Sequence, residues 1–180
     1  ERPKPAAQPA KLPRPEEVRP WETCMSLNNT WGYNKHDQAF KSATQLIRTL
    51  VEVASKGGNL LLNVGPTPEG TIQPEFQERL LAIGKWLKVN GESIYGTTYG
   101  PWQDLSFGKT TAKGKTIYLH VFDWPKGKLE LEGVKVNVAK ITLLAAGETL
   151  KFTQAGERLT IAVPPEAPDP HVSVLALETR

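Results

Sequence analysis

The sequence holds a single cysteine, Cys24, in 180 residues. One cysteine excludes an internal disulfide and leaves the redox compartment unread. No apolar run approaches the ~18 residues of a membrane-crossing helix, so no membrane partner is expected. Charge of one sign is missing as well. The net charge is only +3 and the lysines are scattered, which offers nothing like the basic stripe that grips nucleic acid. The three histidines, His36, His120 and His171, have no metal-ligand spacing. No phosphate loop, zinc motif or Ser-His-Asp spacing occurs, so neither metal nor cofactor is expected. An initiator methionine and a signal-like apolar segment are also lacking, and the chain is expected to be a fragment or processed product of something longer. A hydrophobic content of 39% with 23% charged residues fits a folded globular protein with one good core or two small ones.

What is present changes character along the chain. Residues 1–20 carry six prolines and almost nothing apolar, which predicts an extended loop, with a PxxP-type adaptor ligand as the alternative. Then comes Trp21-Glu22-Thr23-Cys24-Met25-Ser26-Leu27-Asn28-Asn29-Thr30-Trp31-Gly32-Tyr33, a short strand opening into a loop. Two tryptophans, a tyrosine, a carboxylate and two asparagines fall within thirteen residues. Aromatic faces beside fixed polar groups suit a pyranose, which has apolar C–H faces and directional hydroxyls.

From Ser42 the pattern is helical, with Ala43, Leu46, Ile47, Leu50, Val51 and Ala54 on one face. Ser42 and Gln45 have the form of a capping box, and Gly57-Gly58 supplies the stop. Asn59 to Gly65 reads as a strand whose nearly continuous apolar run predicts a parallel sheet covered on both faces. A second helix starts near Pro74, with Phe76, Leu80, Ile83, Gly84 and Leu87 as its buried stripe, and ends at Asn90-Gly91. Glu69 and Glu75 read as solvated carboxylates. Residues 21–90 thus spell two β/α units of a larger parallel sheet. After Trp102, short strand-like runs at 116–122, 128–131, 139–144, 159–163 and 172–177 alternate with turns, as in an antiparallel sandwich. His120 falls inside one of these runs and reads as structural.

The blocks WETCMSLNNTWGY, SKGGNLLLNVGPTPEG and FQERLLAIGKWLKVNGESIYGT together resemble the α-L-fucosidases of glycoside hydrolase family 29, in that family's order and near its spacing. The resemblance implies the fold class α/β plus all-β: the last β/α units of a (β/α)8-like barrel at 21–100, then a C-terminal β-sandwich at 103–180. It also implies retaining exo-hydrolysis of terminal α-L-fucose, which uses two carboxyl groups roughly 5 Å apart. The nucleophilic aspartate is expected upstream of Glu1, so the chain by itself is expected to be inactive. For the acid/base, Glu1 and Glu22 are candidates, with Glu16 and Glu17 also open; Glu22 is alternatively a supporting carboxylate.

Among substrate-binding candidates, Trp31 matches the family position that packs against the sugar near its C6 methyl. Trp21, Tyr33 and Asn28 are further candidates, each with a plain packing or loop-shaping alternative. Cys24 sits in the signature block and reads as a small buried hydrophobe. Asn63, Gly65 and Pro66 end a barrel strand on the face where such folds keep their sites, with Asn63 bracing the loops. The implied partners are a fucosylated glycan and the missing N-terminal barrel portion, with oligomers open. Secretion, periplasm or lysosome is the family's usual location. Asn28-Asn29-Thr30 has the form of a glycosylation sequon, read here as chance. Rival readings are a carbohydrate-binding sandwich, for which Trp124 and Tyr118 are the sparse aromatics, and an inactive structural remnant.

Overall fold

Ser42 starts the first helix, and does so by the reciprocal bonds its sequence announces. Its Oγ accepts from the Gln45 amide at 3.1 Å, while Gln45 Oε1 accepts from the Ser42 amide at 2.8 Å. Helix α1 (Ala43–Ser55) ends where Gly57 takes φ 73° and the amides of Gly57 and Gly58 return to the carbonyls of Ala54 and Val53. The chain seen here is a computed structural model that describes residues 20–103 and 105–180. The proline-rich segment, with Glu1, Glu16, Glu17 and the PxxP reading, lies outside the described residues.

Helix α1 joins two parallel strands, β1 (Glu22–Ser26) and β2 (Asn59–Asn63), paired in register from Glu22–Asn59 to Ser26–Asn63. Helix α2 (Pro74–Asn90) follows, with Pro74 at its start, Glu75 in its first turn and Lys88 in its last, each favourable to the helix dipole. Its buried face differs from the expected stripe. Phe76, Trp86 and Asn90 are buried and Ile83 and Leu87 half-buried, but Leu80 is 38% exposed and Gly84 is exposed. Trp86 decides this. Its indole Nε1 donates to the Val172 carbonyl at 2.8 Å, and Leu80 lies about 120° around the helix from it at ~100° per residue.

A one-turn 3-10 helix at Gly91–Ser93 leads into the sandwich. Strands β3 (Thr98–Tyr99), β4 (Gly108–Lys113), β5 (Thr116–Val121), β6 (Lys128–Leu131), β7 (Val138–Leu143), β8 (Glu148–Thr149), β9 (Phe152–Ala155), β10 (Arg158–Ala162) and β11 (Ser173–Thr179) form two antiparallel sheets. Their orders are β3-β4-β5-β11-β7-β8 and β6-β10-β9. Leu119, Ile141, Leu175 and Leu177 of the larger sheet meet Leu129, Leu131, Leu159 and Ile161 of the smaller in one core. The larger sheet starts at β3, ahead of residue 103. Strands β3, β4, β8 and β9 were not expected. Strand β4 shows why: its buried positions are Gly108, Thr110 and Thr111, which carry no apolar alternation.

The outer face of the larger sheet carries a second core, in which Tyr118, Val174 and Ala176 pack on Ile47 and Val51 of α1 and Trp86 of α2. A third, of Leu27, Leu46 and Phe76 with Met25 and Leu62, lies on the other side of the helices. The order of layers is therefore parallel strands, helices, large sheet, small sheet. Two polar ties reinforce the join between helices and sandwich. Thr44 Oγ1 lies 2.8 Å from His171 Nδ1, and Arg48 donates to the Phe122 carbonyl with its guanidinium 5.0 Å from that ring.

The expectation that both faces of the parallel strands are covered fails on one side. Side chains alternate across a strand, so Met25 and Leu62 face the helices while Glu22, Cys24 and Ser26 share the opposite face with Asn59, Leu61 and Asn63. There Leu61 is 49% exposed and Cys24 is exposed rather than buried as its reading required. Among the described residues nothing further packs on that side.

Candidate active site at the strand ends

Strand β1 separates the expected site residues into two groups. Its first residue, Glu22, and its last, Ser26, are about 13 Å apart at ~3.3 Å per residue. Trp21 and Glu22 lie at the entering end. There the Trp21 indole donates to the Lys56 carbonyl at 3.1 Å and lies over Gly58 so closely that a Cβ on Gly58 would come within 2.3 Å of a ring carbon. Trp21 is thus a buttress between β1 and the α1–β2 turn, and the sequence pairs it with the one residue type that fits beneath it.

The leaving end carries the loop from Leu27 to Lys41, which many bonds hold in place. Asn28 is 2% exposed, and its amide is committed within the loop, donating to Thr30 Oγ1 at 3.2 Å. The Lys41 ammonium enters from the loop's end and donates to the carbonyls of Ser26 at 2.9 Å and Asn28 at 2.8 Å. Asp37 accepts from the amides of Asn29 at 2.9 Å and Ala39 at 3.0 Å. The Ala39 amide bond holds the Asp37 carboxyl below its ordinary pKa, helped by Asn29 and opposed by partial burial.

Strand β2 supplies the remaining anchors. Asn63 Nδ2 donates to the Trp31 carbonyl at 2.7 Å, and Gly65 lies against the backbone of Gly32 and Tyr33, where an added Cβ would approach to 2.6 Å. So the two sequence blocks lock together through Trp21 on Gly58, Asn63 on Trp31 and Gly65 on Gly32–Tyr33. What this scaffold presents is Trp31, 58% exposed, and Tyr33, 39% exposed. The expected bracing role of Asn63 has a direct geometric counterpart. Asp37, Lys41 and Gly65 complete the loop's support without having been singled out as supports. Asp37 had a readable signal, since it follows the turn-forming run Asn34-Lys35-His36; Lys41 had none.

Two aromatic rings on a fixed loop beside an open sheet face can receive the C–H face of a sugar. Of the six side chains on that open face, Glu22 alone is a carboxylate. No group of three or more His, Cys, Asp or Glu among the described residues is placed to hold a metal. In the sandwich, Tyr118 is buried and the half-buried Trp124 spends its indole N–H on the Pro164 carbonyl at 2.8 Å, so neither forms an exposed platform for sugar.

A family model described as alpha-L-fucosidase matches residues 5–92, and one described as alpha-L-fucosidase C-terminal domain matches residues 104–178. The chain belongs to the α-L-fucosidase family. The first match spans the parallel pair, its helices and the aromatic loop; the second spans nearly all of the sandwich. Human tissue alpha-L-fucosidase is 42% identical over 156 residues, covering 80% of this chain and 33% of that protein. The Dictyostelium discoideum alpha-L-fucosidase is 37% identical over 175 residues, covering 87% of this chain and 38% of its own. Among solved structures, alpha-L-fucosidase isoenzyme 1 of Paenibacillus thiaminolyticus superposes with a TM-score of 0.86 at 33% identity, over 96% of this chain and 43% of that one. The Thermotoga maritima alpha-fucosidase in complex with fucose gives 0.79 at 34% identity, over 88% and 40%. The chain therefore spans about a third of the length of these curated α-L-fucosidases, which are glycoside hydrolases.

Proposed function

We propose that this chain forms the C-terminal part of a retaining exo-α-L-fucosidase, contributing one wall of a sugar site that other barrel strands complete. The observation that carries the reading is the parallel pair β1–β2, open on one face and bearing at its leaving end an anchored loop with exposed Trp31. Strands of a (β/α)8-like barrel keep their active sites at that end. In this reading Leu61 and Cys24 face the barrel interior, the apolar face of Trp31 packs against fucose near its C6 methyl, and Tyr33 flanks it. The nucleophilic aspartate comes from an upstream strand, and Glu1, or a carboxylate near it, is the acid/base. Glu22 begins its strand about 13 Å from the loop end, at ~3.3 Å per residue, and serves as a supporting carboxylate. Asn28 shapes the loop.

Mechanistically, the chain's own residues orient and desolvate the sugar. The loop's preformed hydrogen bonds fix Trp31 before substrate arrives, so binding does not have to order it. The test replaces the matching third of the human tissue enzyme with residues 21–180 and assays an aryl α-L-fucoside. Turnover in the folded chimera, falling at least tenfold with Trp31→Ala, is the expected result. A folded chimera without turnover, or one indifferent to Trp31→Ala, contradicts the reading.

A further inference from the structure

The tip of the aromatic loop has an unusual division of labour between backbone and side chains. Its backbone is committed: Asp37 donates its amide to the Asn34 carbonyl at 3.1 Å, the His36 amide donates to Asn34 Oδ1 at 3.0 Å, and Gln38 Nε2 donates to the Lys35 carbonyl at 3.3 Å. At the loop's base, the Asn29 amide donates to Asp37 Oδ2, closing the excursion. Gly65 supports it from below at Gly32–Tyr33. The tip is thus a hydrogen-bonded turn with an Asx-type bond, and its geometry is set before any ligand arrives.

Asn34, Asp37 and Gln38 spend side-chain atoms on the turn itself, and three other side chains there do not. The Tyr33 hydroxyl, the Lys35 ammonium and the His36 imidazole have no hydrogen-bond or ion-pair partner among the described residues, and all three residues are exposed. Three such polar groups within four residues follow Trp31 on an anchored turn and offer exposed donors and acceptors beside an exposed aromatic residue. Along the chain these groups follow Trp31, whose carbonyl Asn63 ties to β2, and precede Asp37, which ties the turn back to Asn29.

We infer that Lys35 and His36, with the Tyr33 ring, bind the saccharide unit that carries the terminal fucose, and so set a preference for fucosylated oligosaccharides over small aryl fucosides. This rests on the fucosidase reading above. A hexose beyond the fucose presents several hydroxyls that can pair with such groups, while an aryl leaving group presents almost none. A hydrogen bond of about 1 kcal/mol corresponds to roughly fivefold in the specificity constant.

The test uses the full-length enzyme that contains this chain, with kcat/KM measured on an aryl α-L-fucoside and on a fucosylated trisaccharide. Lys35→Ala and His36→Ala are each expected to lower kcat/KM on the trisaccharide about fivefold and to leave the ratio between wild type and variant near one on the aryl fucoside. Lys35→Arg, which keeps a donor, is expected to recover most of the trisaccharide rate. Equal losses on both substrates, or no loss on either, overturn the inference, as does a failure of Lys35→Arg to recover. If the enzyme cleaves neither substrate, it is the fucosidase reading that fails, since that outcome precedes any comparison of variants.

Discussion

Gly65 is where a single hydrogen atom in place of a methyl decides whether two sequence blocks can meet. A Cβ there would lie 2.6 Å from the Gly32 carbonyl carbon and from the Tyr33 amide nitrogen, both backbone atoms that no side-chain rotation can move aside. Gly65→Ala is expected to cost about 1–3 kcal/mol through overpacking and to displace the 31–36 loop, seen as faster amide exchange there. Asn63→Ala leaves the Trp31 carbonyl without its donor, at about 1 kcal/mol, and is expected to loosen the same loop while thermal unfolding shifts little.

The titrating residues make separable predictions. Burial pushes the His120 pKa from 6.5 down to about 3, although its Nε2 is 3.0 Å from Thr111 Oγ1. The folded state therefore resists a proton that the unfolded chain accepts. Stability from this residue is fully present above pH 6.5, declines as pH falls below it, and stops declining below about 3. His120→Gln should flatten the dependence of unfolding free energy on pH between 6.5 and 4, measured by urea titration. Asp37 acts in a lower window. Its pKa is held below 3.8 chiefly by the Ala39 amide, so its loop loses that support only as pH falls below 3.8. Asp37→Ala should expose the loop to proteolysis already at neutral pH.

At the scale of elements, both helices were legible, and the capping reasons for α1 hold. Ser42, Gln45 and Gly57-Gly58 mark α1 because capping is local chemistry that needs no tertiary partner. The face of α2 was less legible: the expected stripe took in Leu80 and left out Trp86, the reverse of what tertiary packing buries. Trp86 is 2% exposed, between the helices and the large sheet. Trp86→Ala should cost about 3–5 kcal/mol, whereas Leu81→Gln, at 72% exposure, should stay within about 0.5 kcal/mol. Parallel thermal melts would separate them. Strand β4 was hidden for a different reason. Thr110 and Thr111 are buried by hydrogen bonding, Thr111 to the Ser93 carbonyl at 2.7 Å and Thr110 to that of Trp102 at 2.7 Å, and such burial leaves no apolar alternation to read.

At the scale of the whole molecule, four layers share three cores among the described residues; the small sheet turns exposed Lys128, Glu130 and Arg158 outward, whereas the strand pair leaves open a face that carries Leu61. Cys24 was expected to be buried as a small hydrophobe in a strand, and Leu61 lies in the apolar run that reads as covered on both faces. Both expectations depend on what packs against that face, which composition does not show. The division of the aromatic stretch was hidden too. In sequence Trp21 and Trp31 belong to one sugar-like cluster; in space one braces the entering end of β1 on Gly58 and the other is displayed beyond the leaving end. A residue list cannot show which end of a strand a side chain occupies until the strand's limits are known.

The central claim is that this chain supplies a wall of a fucosidase site and not its reacting carboxylates as a set. The most direct measurement is hydrolysis of an aryl α-L-fucoside by the purified 180-residue chain at pH 4 to 8. The account predicts release no faster than in buffer. Catalytic turnover by the chain alone, abolished by Glu22→Gln, would contradict it.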